Sequence, residues 1–481
     1  MQRGEIISNE TGEYDQAAYL FARLASVASD PLRADLLFVR DLFTAVGRPP
    51  RPHESGLSAF EKLTRPELID AEQRIADHLS AECGAEIAPP TTSSATGDES
   101  TSICPGWRQL GNIYTHNRFP FILDTSGANY WNFVTKLTQV GWIEIHGQYP
   151  HARYFSILPN DFQTNNLQQL TDVHILPDPG SANPFRGPLP PGTARYYTVR
   201  YTVTAPPPVR NPNTSYIGVT KDGTDPNPAA CVVYRIYGSD FGSQPNSGGV
   251  PLPAVTVYAP DGHVTQHFDE CDPYPDGPPS RPQHVARFPT LPIPGPLAQD
   301  PPALSFSSNY HLPIDLLANP DVQYMTAYYS HRFGQILVAR AKAFSTPHTA
   351  AREPVYTPGR DIRGWTICGY NFYAGYANGC ILDHEAPVDA DGYYTIVVST
   401  VADRPTTADP THGVTWIDWG PYLDGQLTWR LFLKESPLLQ ELAAAIHSGH
   451  SSPRIGPYIP SFTYCSAKTF EGGGWAACRR A

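Results

Sequence analysis

The chain has 481 residues and a formal net charge of −12, with 41% hydrophobic and only 17% charged residues. That length accommodates two or three domains with a substantial apolar core. The acidic balance speaks against nucleic acid, which needs a basic surface, and against docking on an anionic membrane.

Proline (51), glycine (38) and tyrosine (27) are abundant, a mixture that suits short strands joined by rigid turns. The opening residues, Met1 to Glu5, carry no signal-peptide core, which leaves a cytoplasmic location as the alternative to an extracellular one. Residues 1–85 read as a helical segment. Leu20, Leu24 and Val27 share one face, Asp30-Pro31 opens a second helix that stops at Gly47, and Thr64-x-x-Glu67 opens a third. Residues 86–106 read as a linker. No apolar run is long enough to span a membrane.

From residue 107 the period changes to that of strands. A first β unit is expected over 107–272, a proline-rich connector over 273–302 with eleven prolines, and a second β unit over 303–481 with a disulfide-rich C-terminus. The halves repeat each other. Arg153-Tyr154-Phe155-Ser156-Ile157 answers Arg363-Gly364-Trp365-Thr366-Ile367, and Tyr196-Tyr197-Thr198-Val199 answers Tyr393-Tyr394-Thr395-Ile396. Tyr234-Arg235-Ile236-Tyr237 answers Trp429-Arg430-Leu431-Phe432. Matches in one order predict two similar antiparallel β-sandwich or jelly-roll-like units. Aligning Trp142–His146 with Gln335–Ala339 sets Glu144 and His146 against Leu337 and Ala339.

Eight cysteines fall into four neighbouring couples without a Cys-x-x-Cys pair. This predicts the bridges Cys83–Cys104, Cys231–Cys271, Cys368–Cys380 and Cys465–Cys478 in an oxidising compartment. Sequons at Asn9 and Asn213 are compatible with it.

The segments Gly147-Gln148-Tyr149-Pro150-His151-Ala152-Arg153-Tyr154, Asp391-Gly392-Tyr393-Tyr394, Val414-Thr415-Trp416-Ile417 and Leu427-Thr428-Trp429-Arg430-Leu431 invite a comparison. Over roughly 107–470 the chain resembles uncharacterised, often secreted actinobacterial proteins related to a bacterial domain family of unknown function. The resemblance implies a fold but no activity, and no cofactor follows from it.

A nucleophile elbow, a P-loop, a dinucleotide fingerprint and an H-E-x-x-H helix are all absent from the sequence. The candidate catalytic residues are Glu144, His146 and His151, with Glu144 and His146 also a candidate metal pair, because a carboxylate and an imidazole share one strand face. Asn129, Tyr130 and Trp131, with Asp124, form an aromatic and polar cluster suited to a sugar or flat ligand, and Arg153 is a further ligand candidate. Arg153 and Arg363 also recur in both halves, which points to a structural pairing with Asp172 and Asp383. The runs His263 to Cys271 and Asp383-His384-Glu385 read as solvated loop and strand end.

The leading expectation is a secreted protein holding a small molecule or glycan in a cleft between two β units, with catalysis left open. A non-catalytic partner-binding surface protein and a tailoring lyase or cyclase are the alternatives.

Overall fold

The computed structural model describes residues 104–109, 128–275 and 319–480, with breaks at 162–164, 169, 222, 224, 243–245, 372–376, 421–422 and 433–435. Ala25 and residues 33–38, 40 and 41 are also described, and are helical. The remainder of the expected helices, the linker up to residue 103, Cys83, Asp124, Asn9 and most of the proline-rich connector lie outside the described residues.

The first unit contains β1 (Arg108–Gln109), β2 (Asn129–Lys136), β3 (Trp142–Gln148), β4 (Ala152–Asn160) and β5 (Tyr196–Thr202). It continues with β6 (Thr214–Tyr216), β7 (Ala229–Ser239), β8 (Ala254–Tyr258) and β9 (Val264–Phe268). Period-two alternation decides which face each strand buries. Along β3, Ile143 and Ile145 are fully buried while Trp142, Glu144 and His146 point outward. The sheets β1-β2-β7-β4 and β6-β5-β3-β8-β9 enclose a core that includes Trp131, Phe155, Tyr197 and Tyr234.

The second unit contains β10 (Val322–Ser330), β11 (Ile336–Lys342), β12 (Gly364–Asn371), β13 (Ala377–Leu382) and β14 (Tyr393–Ser399). It ends with β15 (Thr415–Asp418), β16 (Asp424–Phe432), α1 (Pro437–Ser448), β17 (Ser461–Cys465) and α2 (Ala467–Cys478). Its sheets run β10-β16-β12-β13 and β15-β14-β11-β17 around Met325, Trp365, Ile396 and Trp429. The order β2-β7-β4 reappears as β10-β16-β12, and β6-β5-β3-β8 as β15-β14-β11-β17. The sheets are mixed rather than wholly antiparallel, since β5 pairs with β6, and β14 with β15, in parallel.

A further expectation is corrected. The segment read as a solvated loop at 263–271 supplies β9, an edge strand whose side chains are mostly exposed. The Asn213 side chain is hydrogen-bonded within the fold. Its amide donates to the carbonyls of Leu176 and Thr198 at 2.8 and 2.9 Å and accepts from the Leu176 N–H at 2.7 Å.

Cys368–Cys380 and Cys465–Cys478 are bridged as expected. The third bridge is Cys104–Cys271, not Cys231–Cys271 or Cys83–Cys104. Cys231 stays a free thiol because its β7 side chain points toward Asn132, away from the core, and desolvation pushes it up to about 11. Cys104 and Cys271 tie the approach to β1 to the chain after β9, across 167 residues.

Where the units meet, Arg153 and Arg363 exchange partners. Arg153 Nη1 donates to Asp383 Oδ2 at 2.7 Å and to the Arg363 carbonyl at 3.4 Å. Arg363 Nη1 donates to Asp172 Oδ2 at 3.1 Å and to the Arg153 carbonyl at 3.3 Å. All four side chains are buried, at 6% exposure or less. Each arginine thus pairs with the aspartate of the other unit rather than its own. Beside them Tyr154 and Tyr237 pack on Phe432, with ring centroids 6.0 and 4.9 Å apart.

Losing Cys104–Cys271 is expected to cost more than losing Cys368–Cys380. Chain entropy assigns about 5 kcal/mol to the long loop and about 3 to the short one. Urea unfolding of the paired Cys→Ser variants, one bridge at a time, measures the order.

Asp172 is pushed up to about 6, first by desolvation and then by Asp321, against the opposing pull of Arg363. A carboxyl raised in this way binds its proton more readily in the folded chain. Its contribution to stability is full below the ordinary carboxylate range and is lost as pH rises through about 6. The stability of the wild type relative to Asp172→Asn should therefore increase as pH falls from 7 to 4, as thermal melts of both proteins would record.

Candidate functional site

The residues singled out from sequence separate into three places. Trp131 is sealed in the first core and Asn129 beside it is 4% exposed. Tyr130 and Arg153 belong to the seam between the units, where Tyr130 Oη donates to Tyr237 Oη at 3.1 Å. His151 lies in the connection between β3 and β4, with Arg195 Nη1 2.8 Å from its Nδ1, and its ring is held below the usual imidazole range by burial and then by Arg195. Among the described residues, no hydrogen bond, ion pair or ring contact joins any of these to Glu144 or His146.

Asp383 belongs to the seam, and His384 beside it stacks on His348 at 4.6 Å. Among the described residues no three His, Cys, Asp or Glu side chains gather as a metal site.

Strand register corrects the alignment of β3 with β11. Tyr197 pairs with Gly147, and its counterpart Tyr394 pairs with Ala341. Counting back from that pair, Ile143 and Ile145 answer Leu337 and Ala339, all four of them core residues. Glu144 answers Val338, and His146 answers Arg340. The His146 position is basic in both units and meets a carboxylate in both: His146 Nε2 is 3.6 Å from Asp178, and Arg340 pairs with Asp389. His146 stacks on Tyr196 at 5.5 Å as Arg340 lies over Tyr393 at 4.9 Å.

The real divergence lies one row further along. In the second unit Ile336, Val338, Val397 and Cys465 form an apolar outer face. Helix α2 covers it with Phe470 and is tethered there by the Cys465–Cys478 bridge. In the first unit the same four positions hold Trp142, Glu144, Arg200 and Tyr258, and the face is open.

On that open face Arg200 donates to Glu144 Oε1 from Nε at 3.1 Å and from Nη2 at 2.5 Å, and its guanidinium lies 5.0 Å from the Trp142 ring. Trp142 stacks on Tyr258 at 4.7 Å, and Tyr258 Oη donates to Glu144 Oε2 at 3.4 Å. Thr198 Oγ1 donates to Asp178 at 3.0 Å, and Glu270 lies 3.8 Å from His146 Nδ1.

The result is two aromatic ledges, Trp142–Tyr258 and His146–Tyr196, with a planar Glu–Arg pair between them. Sequence reading found Glu144 and His146 but missed Trp142, Tyr196, Arg200 and Tyr258. The alternation Tyr196-x-Thr198-x-Arg200-x-Thr202 on the neighbouring strand was the available signal.

An open depression of about 670 Å³ lies elsewhere, by the start of α1, lined by Lys342, Arg360 and Arg454. Arg360 is bound by Glu353 at 2.5 Å and Arg454 by Glu441 at 3.5 Å, so it gathers little charge for a ligand.

No protein-family model matches the chain, and no curated protein matches by sequence. Among solved structures, an uncharacterised protein from Burkholderia cenocepacia aligns over 95% of this chain and 99% of its own, at 12% identity and a TM-score of 0.44. The VPA0106 protein from Vibrio parahaemolyticus aligns over 71% and 91%, at 10% identity and a TM-score of 0.34. Likeness at that level carries no argument about function.

The Glu144–Arg200 pair is partly exposed on both sides, at 27% and 48%, and such pairs contribute about 0.2–1 kcal/mol. A double-mutant cycle with Glu144→Gln and Arg200→Gln, followed by urea unfolding, should give a coupling energy in that range.

Proposed function

We propose that this chain is an extracellular carbohydrate-binding protein, with the outer face of β5-β3-β8 in the first unit as its ligand surface. The observation that carries the reading is the contrast between equivalent faces, Ile336, Val338, Val397 and Cys465 under a helix against Trp142, Glu144, Arg200 and Tyr258 in the open. We read the two units as copies of one ancestral unit. On that reading one copy kept its face as structure while the other holds polar and aromatic groups toward solvent.

Aromatic ledges offer apolar surface to the C–H faces of a pyranose, and planar carboxylate and guanidinium groups hydrogen-bond its vicinal hydroxyls. Side chains already fixed by cross-strand hydrogen bonds lose little freedom when a ligand arrives. Three disulfides agree with an oxidising compartment, and no described helix is long and apolar enough to cross a membrane. The resemblance to secreted bacterial proteins points the same way.

The seam between the units, the location favoured from sequence, is a poorer site. Arg153, Asp383, Arg363 and Asp172 close it with each other.

Affinity electrophoresis through gels containing soluble β-1,4-, β-1,3- or α-1,4-linked glucans tests the proposal. At least one polysaccharide should retard the wild type, and Arg200→Gln or Tyr196→Ala should weaken binding about tenfold, equivalent to 1.4 kcal/mol. Equal retardation of the variants, or none of the wild type, would defeat it.

A further inference from the structure

We infer that the open face selects neutral, linear chains of at least four sugar residues, an inference that rests on the carbohydrate-binding reading. The length follows from the strand. Trp142 and His146 sit at opposite ends of one row on β3, four residues apart, a separation of about 13 Å at the usual strand rise. Tyr258 and Tyr196 set their ledges further apart still, because they pair in register with Trp142 and Gln148 respectively. A disaccharide reaches one ledge only, whereas a tetrasaccharide laid along β3 touches both and passes over Glu144 and Arg200.

Neutrality follows from the charges. Arg200 is engaged by Glu144, and His146 stands between Asp178 and Glu270. Towards β9 the exposed His263 and His267 are paired with Asp261 and Asp269. The acidic side chains Glu144, Asp178 and Glu270 surround the single guanidinium of Arg200, so a polyanion meets repulsion. A neutral polyol needs only the donors and acceptors that the pairs present. The same polarity excludes an apolar helix of the kind that covers the second unit, because seating it would strip water from Glu144 and Arg200.

The test is calorimetric titration of the full chain with gluco-oligosaccharides of two to six residues in the β-1,4, β-1,3 and α-1,4 series, with polygalacturonate as the anionic comparator. In the series that binds, affinity should rise at least tenfold between two and four residues and level off by six. Tyr196→Ala and Tyr258→Ala should each remove that gain, so that chains of four and six residues bind each variant no more than about twofold better than a disaccharide does.

A disaccharide bound as tightly as a hexasaccharide would overturn the inference and leave the carbohydrate reading intact. Polygalacturonate binding more tightly than every neutral chain would overturn the neutral selectivity. Failure of all probes, polysaccharides included, would take the functional reading with it. The length series on the wild type needs no variant, so a folding defect in either tyrosine substitution leaves it decisive.

Discussion

The exchange of partners between Arg153–Asp383 and Arg363–Asp172 is the constraint on which the arrangement of the two units depends. A buried guanidinium without a carboxylate is strongly destabilising, commonly by about 3–5 kcal/mol when one partner is removed. Each unit supplies an arginine that pairs with an aspartate of the other. Asp383 holds its carboxyl below the usual range despite its burial, because Arg153 and His384 outweigh the desolvation. Asp172 is the opposite case, with desolvation and Asp321 prevailing over Arg363. The two pairs are alike in connectivity but not in electrostatic balance.

Closing the seam fixes which surfaces remain available. Every residue of β4 and of β16 is buried, so the seam-facing sides of those strands are unavailable to a ligand. The sheets β6-β5-β3-β8-β9 and β15-β14-β11-β17 still have outward sides. On the second of these α2 lies across the apolar residues, with Ser466 accepting from the Thr469 N–H to start the helix. On the first, the groups that would have to be desolvated beneath a helix are a carboxylate and a guanidinium. Burying them under an apolar stripe is unfavourable, and the face stays in water.

The matched segments of the sequence were a good guide to strand placement and a poor one to detail. The matched segments around Arg153 and Arg363, Tyr196 and Tyr393, and Tyr234 and Trp429 fall on equivalent strands of the same sheet order. A shift of one residue in aligning β3 with β11 was enough to compare outward Glu144 with inward Leu337. Because side chains alternate, that slip exchanges the two faces entirely. Cross-strand register settles it, and register is a property of the paired strands.

Alternation and turn residues by themselves determined that the described part of this chain is mainly β, consistent with two sandwich-like units. They determined also that Cys368–Cys380 and Cys465–Cys478 close short loops, since these are local or periodic properties of the chain. Only the tertiary structure decided that Cys104 rather than Cys231 meets Cys271, because strand direction sets where a thiol points. It alone decided that Arg153 takes the aspartate of the other unit, and that Glu144 stands with Arg200, Trp142 and Tyr258. Those partners are brought together by sheet pairing and by the meeting of two sheets. Nothing in a linear pattern encodes which distant strand will lie alongside.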